Sequence, residues 1–293
     1  MLLPLKMQCY KCLNASKTRT KIAHIFVTLE MKGMKNKWAL ITGASSGIGK
    51  ELAIIHAKNG GNVLLISRDE KALETLASEL MSKLAVVARI LPLDLTSEDA
   101  IDKIQKHLKE NEMELHCLIN NAGFGGYGQF TKRDIKKDCN MIDLNIKALV
   151  ALTYCCIPFM AKTSSTYILN IASIAAFFPG PFQATYFATK AFVLSFSHGL
   201  STELKNSNIS VTAACPGPVK TNFEQNAQME SLGLFKNALS AEKTAHRAYR
   251  AMLRKRKEII TDYSMGLPIR ILLPFLPTSI KSYIIYRIQK PSK

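Results

Sequence analysis

Short runs rich in Val, Ile and Leu recur along the chain, separated by stretches in which apolar residues return every three or four positions. The runs are WALIT (38–42), NVLLIS (62–67), VVARILPLDLT (86–96), ELHCLINNAG (114–123), TYILNIAS (166–173) and ISVTAAC (209–215). They are continuous rather than alternating in polarity, as strands buried on both faces must be. Strand and helix patterns in strict alternation predict an α/β domain: a doubly wound parallel sheet with right-handed crossovers and helices on both faces. At 293 residues and 47% apolar content, one such domain with extensions accounts for the length. The pattern sets its limits at 34–264, with a basic extension over 1–33 and a basic, apolar tail over 265–293.

Two stretches carry candidate chemistry. In the first, Ser173 ends the fifth run, where its hydroxyl emerges at the carboxyl edge of a sheet, the edge at which ligands bind in open α/β folds. Tyr186 and Lys190 follow four residues apart, so a helix starting near Phe182 sets both on one face. A Tyr-x-x-x-Lys pair alone is more often a surface pair. Beside an ammonium, however, a phenol whose free pKa is about 10 can be brought into proton-transfer range. In the second stretch, the run ending at Thr42 meets glycines at 43, 47 and 49 and then a helical pattern. Strand, glycine turn and helix in that order suit a pyrophosphate held by backbone N–H groups at a helix N-terminus.

Together TGASSGIG (42–49), NNAG (120–123), Ser173 with Tyr186 and Lys190, and PGPVKT (216–221) resemble the short-chain dehydrogenase/reductase family over residues 36–262. The segments 120–130 and 175–200 are most similar to a bacterial-type branch of reductases of varied specificity. Hydroxysteroid dehydrogenases and long-chain 3-ketoacyl reductases are more distant relatives. The resemblance implies a Rossmann-like fold and a nicotinamide dinucleotide, with a carbonyl and a secondary alcohol interconverted. On that pattern Tyr186 is the proton donor, Ser173 polarises the carbonyl oxygen, Lys190 lowers the tyrosine's pKa and binds the nicotinamide ribose, and Asn145 holds a relay water.

The same resemblance assigns Gly43, Ser45, Ser46, Gly47, Ile48 and Gly49 to the cofactor's phosphates. It assigns Ser67, Arg68, Asp94 and Leu95 to its adenosine end, and Asn121, Ala122 and Gly123 to the middle of its pocket. Pro216, Gly217, Val219 and Thr221 border the nicotinamide, with Tyr186 and Lys190 completing the set. Arg68 after the small Ser67 favours NADP(H) over NAD(H), because a guanidinium can pair bidentately with a 2′-phosphate. Ser46 departs from the pattern, since many NADP-preferring relatives carry a second basic residue there. Residues 222–240, with Phe223, Met229, Leu232, Leu234 and Phe235, fall where relatives keep a mobile lid. Their apolar character fits a lipophilic substrate or, equally, packing on the sheet, and with the resemblance it implies a lipophilic ketone, aldehyde or 3-ketoacyl substrate, as in lipid metabolism. The alternative function is a catalytically idle NADP-binding redox sensor or scaffold.

Composition adds partners. Seven scattered cysteines, an odd number, fit reduced thiols and a cytoplasmic location, and Cys9-x-x-Cys12 has no second pair with which to bind zinc, so no metal is expected. The net charge is +17, and residues 243–293 hold twelve Lys and Arg against Glu258 and Asp262. No nucleic-acid motif accompanies this charge. Isoleucines at 280, 284 and 288 interleave with the cations, which suits peripheral membrane contact better, or else packing on the domain. The segment 138–160 reads as a long apolar helix. Like the helix after Phe182 it is apolar around much of its circumference, and because relatives pair these helices across a two-fold axis, the resemblance implies a homodimer or homotetramer.

Overall fold

The structure is a computed structural model and describes residues 33–227, 229 and 238–290. The extension expected over 1–33, Gly33 apart, and Leu232, Leu234 and Phe235 of the expected lid lie outside the described residues.

Seven strands form one sheet: β1 (Trp38–Thr42), β2 (Asn62–Ser67), β3 (Ala88–Pro92), β4 (Leu115–Asn120), β5 (Thr166–Ile171), β6 (Ile209–Cys215) and β7 (Glu258–Ile260). Their order is β3-β2-β1-β4-β5-β6-β7 and every pairing is parallel. The winding direction therefore reverses between β1 and β4, and a crevice opens beyond their carboxyl ends, as the topology of such sheets requires. The third strand is shorter than its apolar run, which continues past Pro92 into a loop. β7 has no counterpart among the predicted strands: three residues after the basic turn 254–257 are too few to form a recognisable run.

Among the described residues eight helices of nine residues or more pack around the sheet: α1 (Gly47–Lys58), α2 (Glu70–Lys83), α3 (Ala100–Glu110), α4 (Ile135–Phe159), α5 (Ala184–Glu203), α6 (Ala241–Leu253), α7 (Tyr263–Ile271) and α8 (Thr278–Gln289). Successive strand side chains alternate between the two layers. Ile41, Leu65 and Ile119 join Leu52, Leu76 and Tyr249 of α1, α2 and α6, whereas Leu40, Leu64 and Leu118 join Ile104, Leu108 and Leu152 of α3 and α4. Burial on both faces is the physical reason that the strands read as unbroken apolar runs.

One polar tie crosses the first layer. His56 of α1 is fully buried, with Nδ1 2.8 Å from the Tyr249 hydroxyl and Nε2 2.9 Å from the carbonyl of Lys37. A carbonyl only accepts, so Nε2 carries the proton and Nδ1 accepts from Tyr249. Burial holds this imidazole neutral by lowering its pKa to about 4.

The segment after β7 folds back onto the domain. Ile269 and Leu273 pack with Val193, Leu194 and Ile260, Ile285 of α8 packs with Phe187 of α5, and Tyr286 stacks on Phe182 at 5.5 Å. Between Pro277 and Pro291 the chain forms α8, about three turns of helix. They form a wall of the domain as well as a surface of it.

Candidate active site

A cavity of about 1140 Å³ occupies the crevice at the carboxyl edge of the sheet. On one side the chain leaves β1 through Gly43 and Gly47, both at positive φ (63° and 55°), where glycine avoids the penalty that a Cβ brings. At Gly49 the constraint is space, since a Cβ there would collide with the carbonyl of Gly43 and the Asn121 side chain. Gly49 therefore seats α1 against the turn and does not line the cavity. Asn121 holds the turn from below, its Nδ2 donating to the carbonyls of Thr42 (3.0 Å) and Gly43 (3.1 Å). Thr42 Oγ1 in turn accepts from the backbone N–H groups of Asn121 and Ala122. The N-terminus of α1 faces the cavity with no acidic residue in its first turn, and the Ser46 side chain makes no capping bond. An unscreened helix terminus of this kind attracts anions.

Ser45, Ser46 and Ile48 line the same side, followed by Ser67, Arg68, Asp94 and Leu95 beyond β2 and β3, and then by Ala122 and Gly123 beyond β4. The Arg68 side chain is 79% exposed and lies 3.9 Å from Asp94, a contact too solvated to bind it firmly. Hydrogen bonds from Thr96 hold the Asp94 carboxyl below its ordinary value, with Arg68 adding to the effect. Asn120, adjacent to Asn121 in sequence, turns away from the cavity. It donates to Thr153 and to Asn170, which donates to Ser197, forming a buried polar ladder between β4, β5 and the flanking helices.

On the other side stand the proton-handling groups. Ser173 ends the loop from β5, where its Oγ accepts from the Ala175 N–H (3.1 Å) and donates to the Pro216 carbonyl (3.4 Å). Tyr186 and Lys190 share one face of α5, with Nζ 5.9 Å from the centre of the phenol ring. The Lys190 ammonium donates to the Ile171 carbonyl at 2.9 Å. Burial lowers Lys190 to about 8 and raises Tyr186 to about 12, against which a hydrogen bond with Ser173 pulls the phenol down. The depression of the phenol expected from the ammonium is not seen: burial raises the phenol, and what opposes burial is the hydrogen bond with Ser173 rather than Lys190. Tyr186 is a protonated phenol at neutral pH.

Asn145 does not border the cavity. It lies in a π-helical turn (Asp143–Ala148) within α4, 1% exposed, and its Nδ2 donates to the Phe124 carbonyl (3.0 Å) and Thr189 Oγ1 (3.1 Å) while its Oδ1 accepts from the Phe124 N–H (3.1 Å). Both amide protons are taken, so the side chain clamps the loop after β4 to α5. A relay water there has only the second Oδ1 lone pair or the main chain to bind. No apolar pattern announces a π-turn, although such turns concentrate at functional sites.

The far end of the cavity is walled by Phe124, Phe178, Phe187 and Phe223, then by Met265, Ile284, Ile285, Ile288 and Gln289 of the C-terminal helices. Pro216, Gly217, Val219 and Thr221 connect the two sides. No contribution of the tail to this cavity follows from its sequence, because Ile284 and Ile288 fit a surface stripe equally well. Among the described residues no cluster of His, Cys, Asp and Glu could hold a metal, and Cys117, Cys139, Cys155, Cys156 and Cys215 are free thiols.

Residues 37–231 match the family model for short chain dehydrogenase. The chain belongs to the short-chain dehydrogenase/reductase family. Within it, the chain is 36% identical over 190 residues to mouse 17-beta-hydroxysteroid dehydrogenase type 3, covering 63% of this chain and 61% of the relative. It is 35% identical over 193 residues to zebrafish very-long-chain 3-oxoacyl-CoA reductase-B, covering 64% and 61%. It thus spans about three fifths of each of those oxidoreductases. A short-chain dehydrogenase from Sphingobium yanoikuyae, solved with NADPH, superposes with a TM-score of 0.72 at 28% identity over 83% of this chain and 97% of its own. A 3-ketoacyl-(acyl-carrier-protein) reductase from Brucella melitensis, solved with NADH, does so with a TM-score of 0.67 at 27% identity over 79% and 99%. These matches agree with the expected family, fold and oxidoreductase class.

Proposed function

We propose that this short-chain dehydrogenase/reductase uses NADP(H) to interconvert a lipophilic carbonyl compound, a ketone, aldehyde or 3-ketoacyl derivative, with its secondary alcohol. The observation that carries the reading is the convergence of Ser173, Tyr186 and Lys190 on one cavity. That cavity begins at a glycine turn and ends in aromatic and aliphatic side chains. Its other half fits a dinucleotide: an anion-attracting helix N-terminus, a turn that bulkier residues would fill, and the exposed guanidinium of Arg68 where a 2′-phosphate would need a partner.

When bound, the nicotinamide supplies hydride to the carbonyl carbon or accepts it in reverse. Tyr186, protonated at neutral pH, gives its proton to the carbonyl oxygen, which Ser173 Oγ polarises by hydrogen bonding. Lys190, anchored to the Ile171 carbonyl, holds positive charge beside the phenolate that forms. Asn145 keeps the loop over Gly123 in place. The idle sensor or scaffold finds no support in this geometry, because a protein that only binds a cofactor has no use for a buried Ser-Tyr-Lys set. NADPH oxidation measured against ketones, aldehydes and 3-ketoacyl thioesters tests the proposal. Tight NADPH binding without turnover on any of them would overturn it in favour of the sensor.

Two assembly features belong to the same reading. Leu267, Leu272, Phe275 and Tyr283 are 60–84% exposed beside Arg270, Lys281 and Arg287, a combination suited to peripheral attachment at an anionic, cytosol-facing membrane. Salt-sensitive flotation with anionic vesicles checks it. Exposed Ile142, Tyr154 and Phe192 on α4 and α5 favour pairing of two copies through those helices, which light scattering would show as a dimer or tetramer.

A further inference from the structure

Asp138 stands in the first turn of α4 and is 3% exposed. A buried carboxylate is tolerated only where donors replace its water, and here they come from two places. Arg133 donates through Nε to both oxygens (3.0 and 3.3 Å) and through Nη2 to Oδ1. The Thr185 hydroxyl donates to Oδ2 at 3.0 Å. The Arg133 hydrogen bond, opposed by burial and assisted by Thr185, holds the carboxyl below its ordinary value. Arg133 is itself fixed, since its guanidinium fills the space that a Cβ on Gly126 would need. The loop that carries Arg133 is held farther along by the Gly128 N–H, which donates to the Phe182 carbonyl at 2.9 Å, and by the Tyr127 hydroxyl, which donates to the Gln289 carbonyl at 2.5 Å.

Thr185 immediately precedes Tyr186, and Thr189, which accepts from Asn145 Nδ2, immediately precedes Lys190. The two threonines are one turn apart on α5, and their partners on α4 are about two turns apart. Two ties along one line oppose any roll of α5 about its axis. The tie at Asp138 governs the end nearer Tyr186, where the chain entering the helix needs an outside hold. Phe182 sits there at φ 66°, a strained conformation for a bulky residue, and the Gln183 side chain does not cap α5. A roll of about 10° would carry the phenol oxygen through about 1 Å, and misplacement on that scale can cost on the order of 10²-fold in rate. Replacing a buried ion pair by apolar groups of like volume is often neutral or stabilising, so the acid's distinctive contribution is the geometry it fixes. We infer that Asp138 is a positioning residue: anchored by Arg133, its carboxylate sets the roll of α5 through the Thr185 hydroxyl and so aims the Tyr186 phenol at the reacting oxygen. This role rests on the proton transfer assigned to Tyr186 above, but the aim of the ring can be read without turnover.

Thr185→Val keeps the shape of the side chain and removes its hydroxyl, whereas Thr185→Ser keeps the hydroxyl. In NADPH-loaded protein with isotopically labelled tyrosine rings, the Tyr186 magnetic-resonance signal is identified by its absence from Tyr186→Phe. That signal should shift or broaden in Thr185→Val and return in Thr185→Ser. With the fastest substrate among the ketones, aldehydes and 3-ketoacyl thioesters, Thr185→Val should lower kcat about tenfold, as misplacement by a fraction of an ångström would, with KM and NADPH affinity changed less than twofold. Thr185→Ser should recover most of the loss. Asp138→Ala should lower kcat by a similar factor, and adding Thr185→Val to it should cost little more, because both remove one tie. If the unsubstituted protein reduces none of these compounds, that failure belongs to the proposed reaction, and the Tyr186 signal alone decides whether Asp138 aims the ring. A signal unmoved in Thr185→Val, a serine variant as impaired as the valine one, or full additivity with Asp138→Ala would overturn the role. A lower melting temperature with kcat intact would overturn it too, since Asp138 would then only stabilise the fold.

Discussion

The two halves of the cavity are built on different principles. The dinucleotide half is organised around one local unit, a strand, a glycine turn and a helix start, braced by hydrogen bonds from the Thr42 and Asn121 side chains to main-chain groups and extended by the loops after β2, β3 and β4. The substrate half is assembled from segments far apart in the chain, with Phe187 and Ile285 meeting through side-chain packing and Phe124 lining the same cavity. Side-chain bonds to the main chain in the first half tolerate few residue types. Packing in the second accepts any apolar side chain of suitable volume. The chemistry lies at the seam, with Ser173 and Tyr186 on the boundary between them.

The largest effect should come from the seam. Tyr186→Phe keeps the ring and loses the transferable proton, so turnover should fall by about 10²–10⁴-fold, the usual contribution of a positioned acid, while NADPH titration shows nearly unchanged binding. Unchanged turnover would remove Tyr186 from the mechanism and with it the distinction between seam and halves. Next comes a pH effect confined to the dinucleotide side. His56 has a folded pKa of about 4 against 6.5 in the unfolded chain, so below pH 6.5 the unfolded state binds the additional proton. Stability should fall between pH 6.5 and 4 by about 3 kcal/mol from this group, at 1.36 kcal/mol per unit. His56→Gln should flatten that part of a denaturant-midpoint profile, and a profile with the same slope would show that the buried tie carries no such penalty.

Arg68→Ala sharpens the comparison within the dinucleotide half. NADPH affinity should drop by about 1.5–3 kcal/mol, the range for a hydrogen bond to a charged group, with NADH affinity unmoved. Equal losses would reject the 2′-phosphate contact. The smallest effect is expected in the substrate half. Ile285→Ala removes a buried side chain that borders a cavity able to relax, so about 1–2 kcal/mol of stability should be lost, toward or below the lower end for core truncations. Substrate KM should rise without any change in NADPH binding, and a parallel loss of NADPH affinity would mean that the two halves are one unit.

The same division explains what could be read in advance. Strands β1, β2, β4, β5 and β6, the glycine turn, Arg68 and the Ser173–Tyr186–Lys190 set are local patterns, and each is visible within a short window of sequence. What escaped depends on distance or environment. Ile284, Ile285 and Gln289 wall the cavity, yet they lie in a tail whose isoleucines fit a membrane surface as well as a cavity wall. The Tyr186 shift runs opposite to the direction its spacing from Lys190 suggests, for a related reason. Spacing shows that an ammonium is near, but not that both groups are desolvated.

The hydrogen bond from Tyr127 to Gln289 joins residues 162 apart in the chain. Closing so long a loop is entropically unfavourable until the intervening segments have folded, so this contact belongs to the last events of folding. As a ribosome emits the chain at about 5–20 residues per second, the glycine turn, the first four strands and the helices between them emerge many seconds before α8 does. For that interval the nascent protein holds a nearly finished dinucleotide half and an open, apolar flank. Cofactor captured at that stage would stabilise the partly made domain by mass action. The substrate wall, arriving last, would then close over a protein that is already loaded.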